Sequence, residues 1–225
     1  QAMDIPRERP VTALREAIEL MRKLWAGGLV TYEGEMVSFR EGELNFKARP
    51  DLPIMVASAG RQVLGLAGEV ADKVMFGDLA SPQAIERAVK TVEMGASRAG
   101  RSLSDIYLIT RVNLIISDDT KAAGDLMRPW ITGDLWGVYP HWETMFTYRP
   151  DFEERLQPLR KFIEDYGGRP RNVHDFALIA EYNDLVSDEM VLDKALVGRP
   201  EDIVEQIIRI ADTGIQEITL YPLPL

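Results

Sequence analysis

The segment Pro53 to Asp78, PIMVASAGRQVLGLAGEVADKVMFGD, constrains the fold more than any other part of the sequence. Ile54 to Ala57 is a short apolar run bounded by Pro53 and Gly60, which reads as a strand buried on both faces. Val63, Leu64, Ala67 and Val70 then recur at helical spacing, and Val74 to Phe76 form a second apolar run. Strand, helix and strand in so short a stretch make a βαβ unit. Its two strands must lie parallel, because the crossover between them is a helix.

The same grammar extends along the chain. Thr12 to Trp25 carries Leu14, Ala17, Ile18, Met21, Leu24 and Trp25 at helical spacing, closed by Gly27-Gly28. Val30 to Phe46 alternates around Glu33-Gly34 and Glu41-Gly42, as one or two short hairpins would. Ser81-Pro82 supplies an N-cap and a first-turn proline for a helix bearing Ile85, Val89, Val92, Ala96 and Ala99. Ile106 to Ile116 is the next strand, and Asp118 opens another helix. Pro200 starts a late helix and EITLYP is the last strand. The expectation is one domain, 1–225, with four buried parallel strands and a largely helical insertion at about 130–194. That insertion holds three of the four tryptophans and both histidines.

Composition narrows the chemistry. The net charge of -10, from 36 acidic and 26 basic residues, has no basic stripe, so nucleic acid is not an expected partner. No apolar run approaches the roughly 20 residues of a membrane-spanning helix, so no membrane partner is expected either. The absence of cysteine removes disulfides and thiolate-ligated metals, and fits a reducing, cytoplasmic setting. With only His141 and His174, no metal site is expected. Successive βα units admit an open doubly wound sheet or part of a barrel. The fingerprints GxGxxG and GxxxxGK[ST] are both absent, which favours the barrel.

Four segments together carry a family resemblance: REAIELMRKLWAGGLVTYEGEMVSF, LPIMVASAGRQVLGLAGEVADKVMFG, ASRAGRS and ALVGRPEDIVEQIIRIADTGIQEITLYP. In this order they resemble the bacterial luciferase-like superfamily, and within it the branch near methylenetetrahydromethanopterin reductase. Members of that branch use the deazaflavin coenzyme F-420, and other branches use FMN. The resemblance implies a (β/α)8 TIM-type barrel with an insertion after the seventh strand. The strands of this chain would be the fifth to the eighth, a carboxyl-terminal portion lacking the first four strands and the final helix. Catalytic residues cannot be assigned within such a portion. The implied function is hydride transfer between coenzyme F-420 and a small organic substrate. Alternatives are an FMN-dependent monooxygenase using molecular oxygen, or a non-catalytic flavin-binding or interaction subunit. The complete protein is expected to be a homo-oligomer, and this portion alone inactive.

The resemblance also gives Ala57, Ser58, Ala59, Gly60 and Arg61 a role. At the carboxyl end of a barrel strand the first N–H groups of the next helix lack intrahelical partners and carry the positive end of its dipole. Small residues let a phosphate approach, Gly60 permits a sharp turn, Ser58 adds a hydroxyl and Arg61 adds charge. The resemblance places the cofactor phosphate there, while the residues alone favour a plain tight strand-to-helix turn. Gly77 and Asp78 end the next strand beside this loop, where they border the cofactor or Asp78 caps the turn before Ser81. Glu69 and Asp72 are read as stabilising. In the insertion, Trp130, Trp136, Tyr139, His141, Trp142, Phe146 and Tyr148 form either an aromatic lid over the cofactor or a satellite core. Trp136, His141 and Trp142 are the candidate substrate-pocket residues, with His141 a possible general acid.

Overall fold

The computed structural model describes residues 8–142, 145, 150–168, 170 and 172–223. Helix α1 (Pro10–Ala26) begins at a proline, whose missing N–H has no intrahelical partner to lose at that position. Strands β1 (Val30–Glu33) and β2 (Ser38–Gly42) form one antiparallel hairpin, the smaller of the two expected forms, and Gly42 ends β2. The hairpin turn is fixed from α1: the buried Glu16 carboxylate accepts the N–H groups of Glu35, Met36 and Val37, each at 2.8 Å. Those bonds outweigh the burial of the carboxylate and hold its pKa below the usual range.

The rest is an α/β fold on a five-stranded parallel sheet of β3 (Met55–Ser58), β4 (Lys73–Gly77), β5 (Tyr107–Ile116), β6 (Ala195–Gly198) and β7 (Glu217–Pro222). The fifth strand, β6, escapes the sequence because Ala195 follows helix α7 (Asp188–Lys194) with no turn residue between them. The ten-residue β5 is central. It pairs with β4 through Tyr107 to Arg111, with β6 through Asn113 to Ile116, and with β7 through Ile109 to Leu114. Residues 109–111 pair with both β4 and β7, and Asn113 and Leu114 with both β6 and β7. Therefore β4 and β6 lie end to end along one edge of β5, with β7 along the other.

Burial corrects the expectation of fully buried strands. Val56, Val74, Phe76, Leu108 and Val112 point to a core formed with α1, α2 (Arg61–Val70), α3 (Pro82–Arg98) and α8 (Pro200–Ala211). The opposite face of the sheet is more open: Met55 on β3 is 50% exposed, and Tyr221 on β7 is 52% exposed. Alternation along a strand puts these residues on one side and the core residues on the other. Helices α2 and α3 touch backbone to backbone. A Cβ on Gly68 would lie 2.0 Å from the Val92 carbonyl oxygen, and one on Gly95 would lie 2.0 Å from that of Gly65.

A second core gathers α4 (Thr120–Val138), α6 (Gln157–Tyr166), α7 and the end of β5, with the short α5 (Pro150–Arg155) alongside. Its boundary differs from the expected one. The N-cap is Asp119 rather than Asp118, and α4 runs unbroken through Trp130, so the helical stretch starts about a turn after β5 and not at residue 130. Phe146 and Tyr148 lie outside the described residues.

Candidate functional site

The carboxyl ends of β3 and β4 lie side by side, since Ser58 pairs with Phe76 and Gly77 with Arg111 of β5. The expected turn occupies the end of β3. There the Ser58 Oγ accepts the Gly60 N–H at 3.0 Å, which leaves its hydroxyl hydrogen to donate elsewhere. The first-turn N–H groups of Arg61, Gln62 and Val63 precede the first helical bond, from Leu64 N–H to the Gly60 carbonyl at 2.9 Å. Gly60 has φ -79° and ψ 129°, an extended conformation open to any residue, so the sharp-turn argument for this glycine is wrong. A Cβ there would meet only the Ser58 Oγ at 3.7 Å, and one on Gly77 would meet nothing within 4 Å. The turn is thus a shallow cradle bounded by backbone. Arg61 points along a groove of about 450 Å³ between α2 and α3, which Arg87 and Lys90 also line.

At the end of β4 the chain turns through Asp78 in the left-handed region, φ 53°. Asp78 caps nothing: the Ser81 Oγ accepts the Ala84 N–H and is the N-cap of α3. The Asp78 carboxylate instead faces β5, where Arg111 Nη2 donates to both its oxygens at 2.7 and 2.9 Å and Asn113 Nδ2 donates at 3.3 Å. The following turn is pinned on two sides. Thr110 Oγ1 donates to the Leu79 carbonyl at 2.8 Å, and the Ala80 and Ser81 N–H groups donate to the Asp193 carbonyl. These bonds fix Asp78 relative to the end of α7.

Lys194, the last residue of α7, completes a pocket of about 190 Å³ with Asp78, Arg111, Asn113, Asp134, Trp130 and Tyr221 among its walls. Lys194 is 3% exposed. Among the described residues its Nζ has no carboxylate within 4.0 Å and no hydrogen-bond acceptor. Burial pushes its ammonium below the ordinary lysine value, and the charges of Asp134 and Asp78 oppose that fall. Asp134 stands at the mouth, open to solvent on its outer side, and the crowding of protein around it raises its carboxyl pKa. The rings of Trp130, 60% exposed, and Tyr221 flank the entrance.

Of the residues singled out in the sequence, Ala57 to Arg61 and Gly77-Asp78 therefore converge on one end of the sheet. The proposed aromatic pocket does not. Trp136 is fully buried, donates its Nε1–H to the Gly168 carbonyl at 2.7 Å and packs edge-on against Phe162, Tyr166 and Phe176. Trp142 is buried, with its Nε1–H on the Leu135 carbonyl at 2.7 Å. His141 is exposed beside it and is absent from the pocket wall. Trp136 and Trp142 belong to the satellite core, and Trp130 is the tryptophan that reaches the pocket. The two tryptophans of α4 are six residues apart, roughly 240° around a helix, so they cannot share a face.

Arg111, Asn113, Asp134 and Lys194 escaped the sequence reading. One signal was available for the first two. In YLITRVNLII, Arg and Asn stand two apart within an apolar run, which puts both on one face of a strand. Glu69 and Asp72 are stabilising, as read. Glu69 accepts from Arg15 and, at 2.8 Å, from Arg98, and Asp72 accepts the Ile54 N–H at 2.8 Å.

Known proteins are similar to this chain over most of its length. The chain is 25% identical over 224 residues to 5,10-methylenetetrahydromethanopterin reductase of Archaeoglobus fulgidus, covering 97% of this chain and 62% of that protein. It is 26% identical over 210 residues to F420-dependent glucose-6-phosphate dehydrogenase of Intrasporangium calvum, covering 92% of this chain and 54% of that protein. The solved coenzyme F420 dependent tetrahydromethanopterin reductase from Methanopyrus kandleri superposes with a TM-score of 0.69 at 24% identity, over 96% of this chain and 58% of the other. The chain thus spans a little over half the length of the proteins it matches. Residues 1–217 match the luciferase-like monooxygenase family along nearly the whole sequence, and the chain belongs to that family.

Proposed function

We propose that this chain is the cofactor-gripping part of an F420-dependent luciferase-like oxidoreductase that exchanges hydride with a small organic substrate. Strands β3, β4, β5 and β7 would be the fifth to the eighth of a (β/α)8 barrel, with the helical stretch from α4 to α7 as the insertion after the seventh and β6, end to end with β4, as an addition beside β5. The half-open sheet face that carries Met55 and Tyr221 suits such a role, because the remaining strands of a barrel would cover it. The observation that carries the reading is the cradle at the end of β3 in a chain aligned throughout with F420-dependent relatives. The residues fit an anionic cofactor tail. Ala57, Ala59 and Gly60 leave the α2 N-terminus approachable, Ser58 can donate its hydroxyl, and Arg61 opens onto the cationic groove.

When bound, the deazaflavin supplies or accepts the hydride. The chain's own residues hold its phosphate, orient it across the carboxyl ends of the strands and exclude water on one side. We place the protein in the cytoplasm, as a homo-oligomer when complete. This portion alone should show no turnover and should associate through its open sheet face, as gel filtration would reveal; a monodisperse monomer with a cooperative melt would count against the barrel-portion reading.

Fluorescence titration of the full-length protein with F420 and with FMN tests the cofactor assignment. F420 should saturate, and saturation by FMN alone would replace it with the flavin reading. Ser58→Ala should weaken F420 binding roughly tenfold to a hundredfold, as expected for losing a hydrogen bond to a charged group. Ser58→Asp should weaken it further, and Ala59→Val should push the phosphate from the free N–H groups. Unchanged affinity in both Ser58→Asp and Ala59→Val, with circular dichroism showing intact folds, would reduce the cradle to a tight turn.

A further inference from the structure

Among the described residues, Lys194 is the buried charge at this end of the sheet that the cofactor cradle does not use. Its surroundings are built. The backbone of Asp193 takes two hydrogen bonds from the turn after Asp78, and Ala195 enters the sheet opposite Asn113. The backbone is therefore pinned on both sides of Lys194, and its ammonium has three donors and no acceptor among the described residues. Such a group is costly to bury unless a partner arrives.

The charges around it define the partner. Asp78 is already satisfied by Arg111 and Asn113, and only Nη2 of the Arg111 guanidinium is engaged by it. Arg111 is thus balanced by Asp78, and Lys194 is the cation of the pocket that contacts no carboxylate among the described residues; Asp134, which also lines the pocket, acts on it from beyond 4.0 Å. Asp134 is exposed on its outer side. A volume of about 190 Å³ accepts a small oxyanion with a few attached atoms, and the exposed rings of Trp130 and Tyr221 leave an apolar, planar entrance for the rest of the ligand. A neutral apolar ligand would leave the ammonium without a contact, and a cation would be repelled by it.

We propose that Lys194, with Arg111 beside it, is a specificity-determining residue that takes an oxyanion, a carboxylate or a phosphate group, on a small organic ligand entering between Trp130 and Tyr221. The oxyanion accepts hydrogen bonds from the Lys194 ammonium and from the free edge of the Arg111 guanidinium. Asp134 at the mouth repels it and limits which anions stay. The ligand class deepens the oxidoreductase reading but does not require it, because anion binding is measured without any cofactor. A failed F420 titration and a failed anion titration are separate results.

The probes are inorganic phosphate and acetate, titrated into the full-length protein at constant ionic strength while tryptophan fluorescence reports on Trp130. The native protein should saturate with at least one of them. Lys194→Met should weaken that binding tenfold or more with its circular dichroism unchanged, and Asp134→Asn, at an exposed position, should tighten it about threefold by removing a like charge. Preference for phosphate assigns a phosphorylated ligand, and preference for acetate assigns a carboxylic acid. The proposal is overturned if neither anion gives a saturable response, if Lys194→Met titrates like the native protein, or if Asp134→Asn binds more weakly.

Discussion

Charge clusters sit at both ends of the same parallel sheet, and they obey opposite rules. At the amino end, Glu69 joins Arg15 of α1 to Arg98 of α3, and Asp72 holds both the Ile54 N–H and Arg22. Each carboxylate there bonds across elements and ties the first three helices together. At the carboxyl end Asp78 is paired in the same manner, yet Lys194, more deeply buried than any of these, is not. Charges that only support a fold are found paired. A desolvated cation without a partner points instead to something that arrives later.

The amino-end cluster is most sensitive at the helix crossing that carries it. Gly95→Ala places a Cβ 2.0 Å from the Gly65 carbonyl oxygen, so α2 and α3 must separate and Arg98 must leave Glu69. A loss of about 2 to 3 kcal/mol is expected in urea unfolding of the full-length protein. A variant of native stability would show that backbone contact does not set this crossing.

Lys194→Met should act with the opposite sign, stabilising by about 1 to 2 kcal/mol at neutral pH, because an apolar chain of similar length replaces a desolvated charge. The pH dependence comes from the lowered pKa. Below the folded-state value the lysine is protonated in both folded and unfolded chains, and the full penalty applies. As pH rises towards the ordinary value of 10.5 the folded form sheds its proton first, so the native protein gains stability and the gap to Lys194→Met narrows. Destabilisation by Lys194→Met at pH 7 would mean that the lysine is part of the scaffold after all.

The smallest effect is expected at Glu69. Burial opposes its ionisation, but Arg15 and Arg98 outweigh burial and hold its pKa below 4.5. A depressed carboxyl contributes stability above the unfolded value and loses it as pH falls through the folded one. Both arginines are more than a third exposed, so screening keeps that contribution under about 1 kcal/mol. Glu69→Gln should thus be slightly less stable than native at pH 7, and the difference should vanish once the pH has fallen below the depressed folded-state value. Equal pH profiles would make the amino-end pairs ornamental.

What the sequence disclosed is what the chain decides locally. The β3–α2–β4 unit, the Ser81 cap and the small-residue turn each depend on a few consecutive residues, so periodicity and capping rules find them. The pocket depends on β4, β5, α4, α7 and β7 meeting in space, and no window of the sequence contains more than part of it. The tryptophans show the same limit. Composition marked an aromatic cluster, but only the packing of α4 separates the buried Trp136 from the exposed Trp130. Strand β6 was hidden for a related reason: its four residues acquire strand geometry by pairing with β5, not from any boundary of their own.

The end-to-end placement of β4 and β6 along β5 has a dynamic consequence. Tyr107 to Arg111 of β5 pair with β4, which packs under α2 and α3, whereas Asn113 to Ile116 pair with β6, which packs against α4 and α7. One strand is therefore shared by two cooperative units, and its amide protons have two independent ways to meet solvent. Native-state hydrogen exchange should divide β5 near residue 112, the early amides opening with α2 and α3 and the later ones with the helical unit. Lys194 and Arg111 lie on either side of that division. The width of the pocket is then governed by the joint between the two units, which can flex without unpairing either of them; a single exchange class along all of β5 would make the joint rigid.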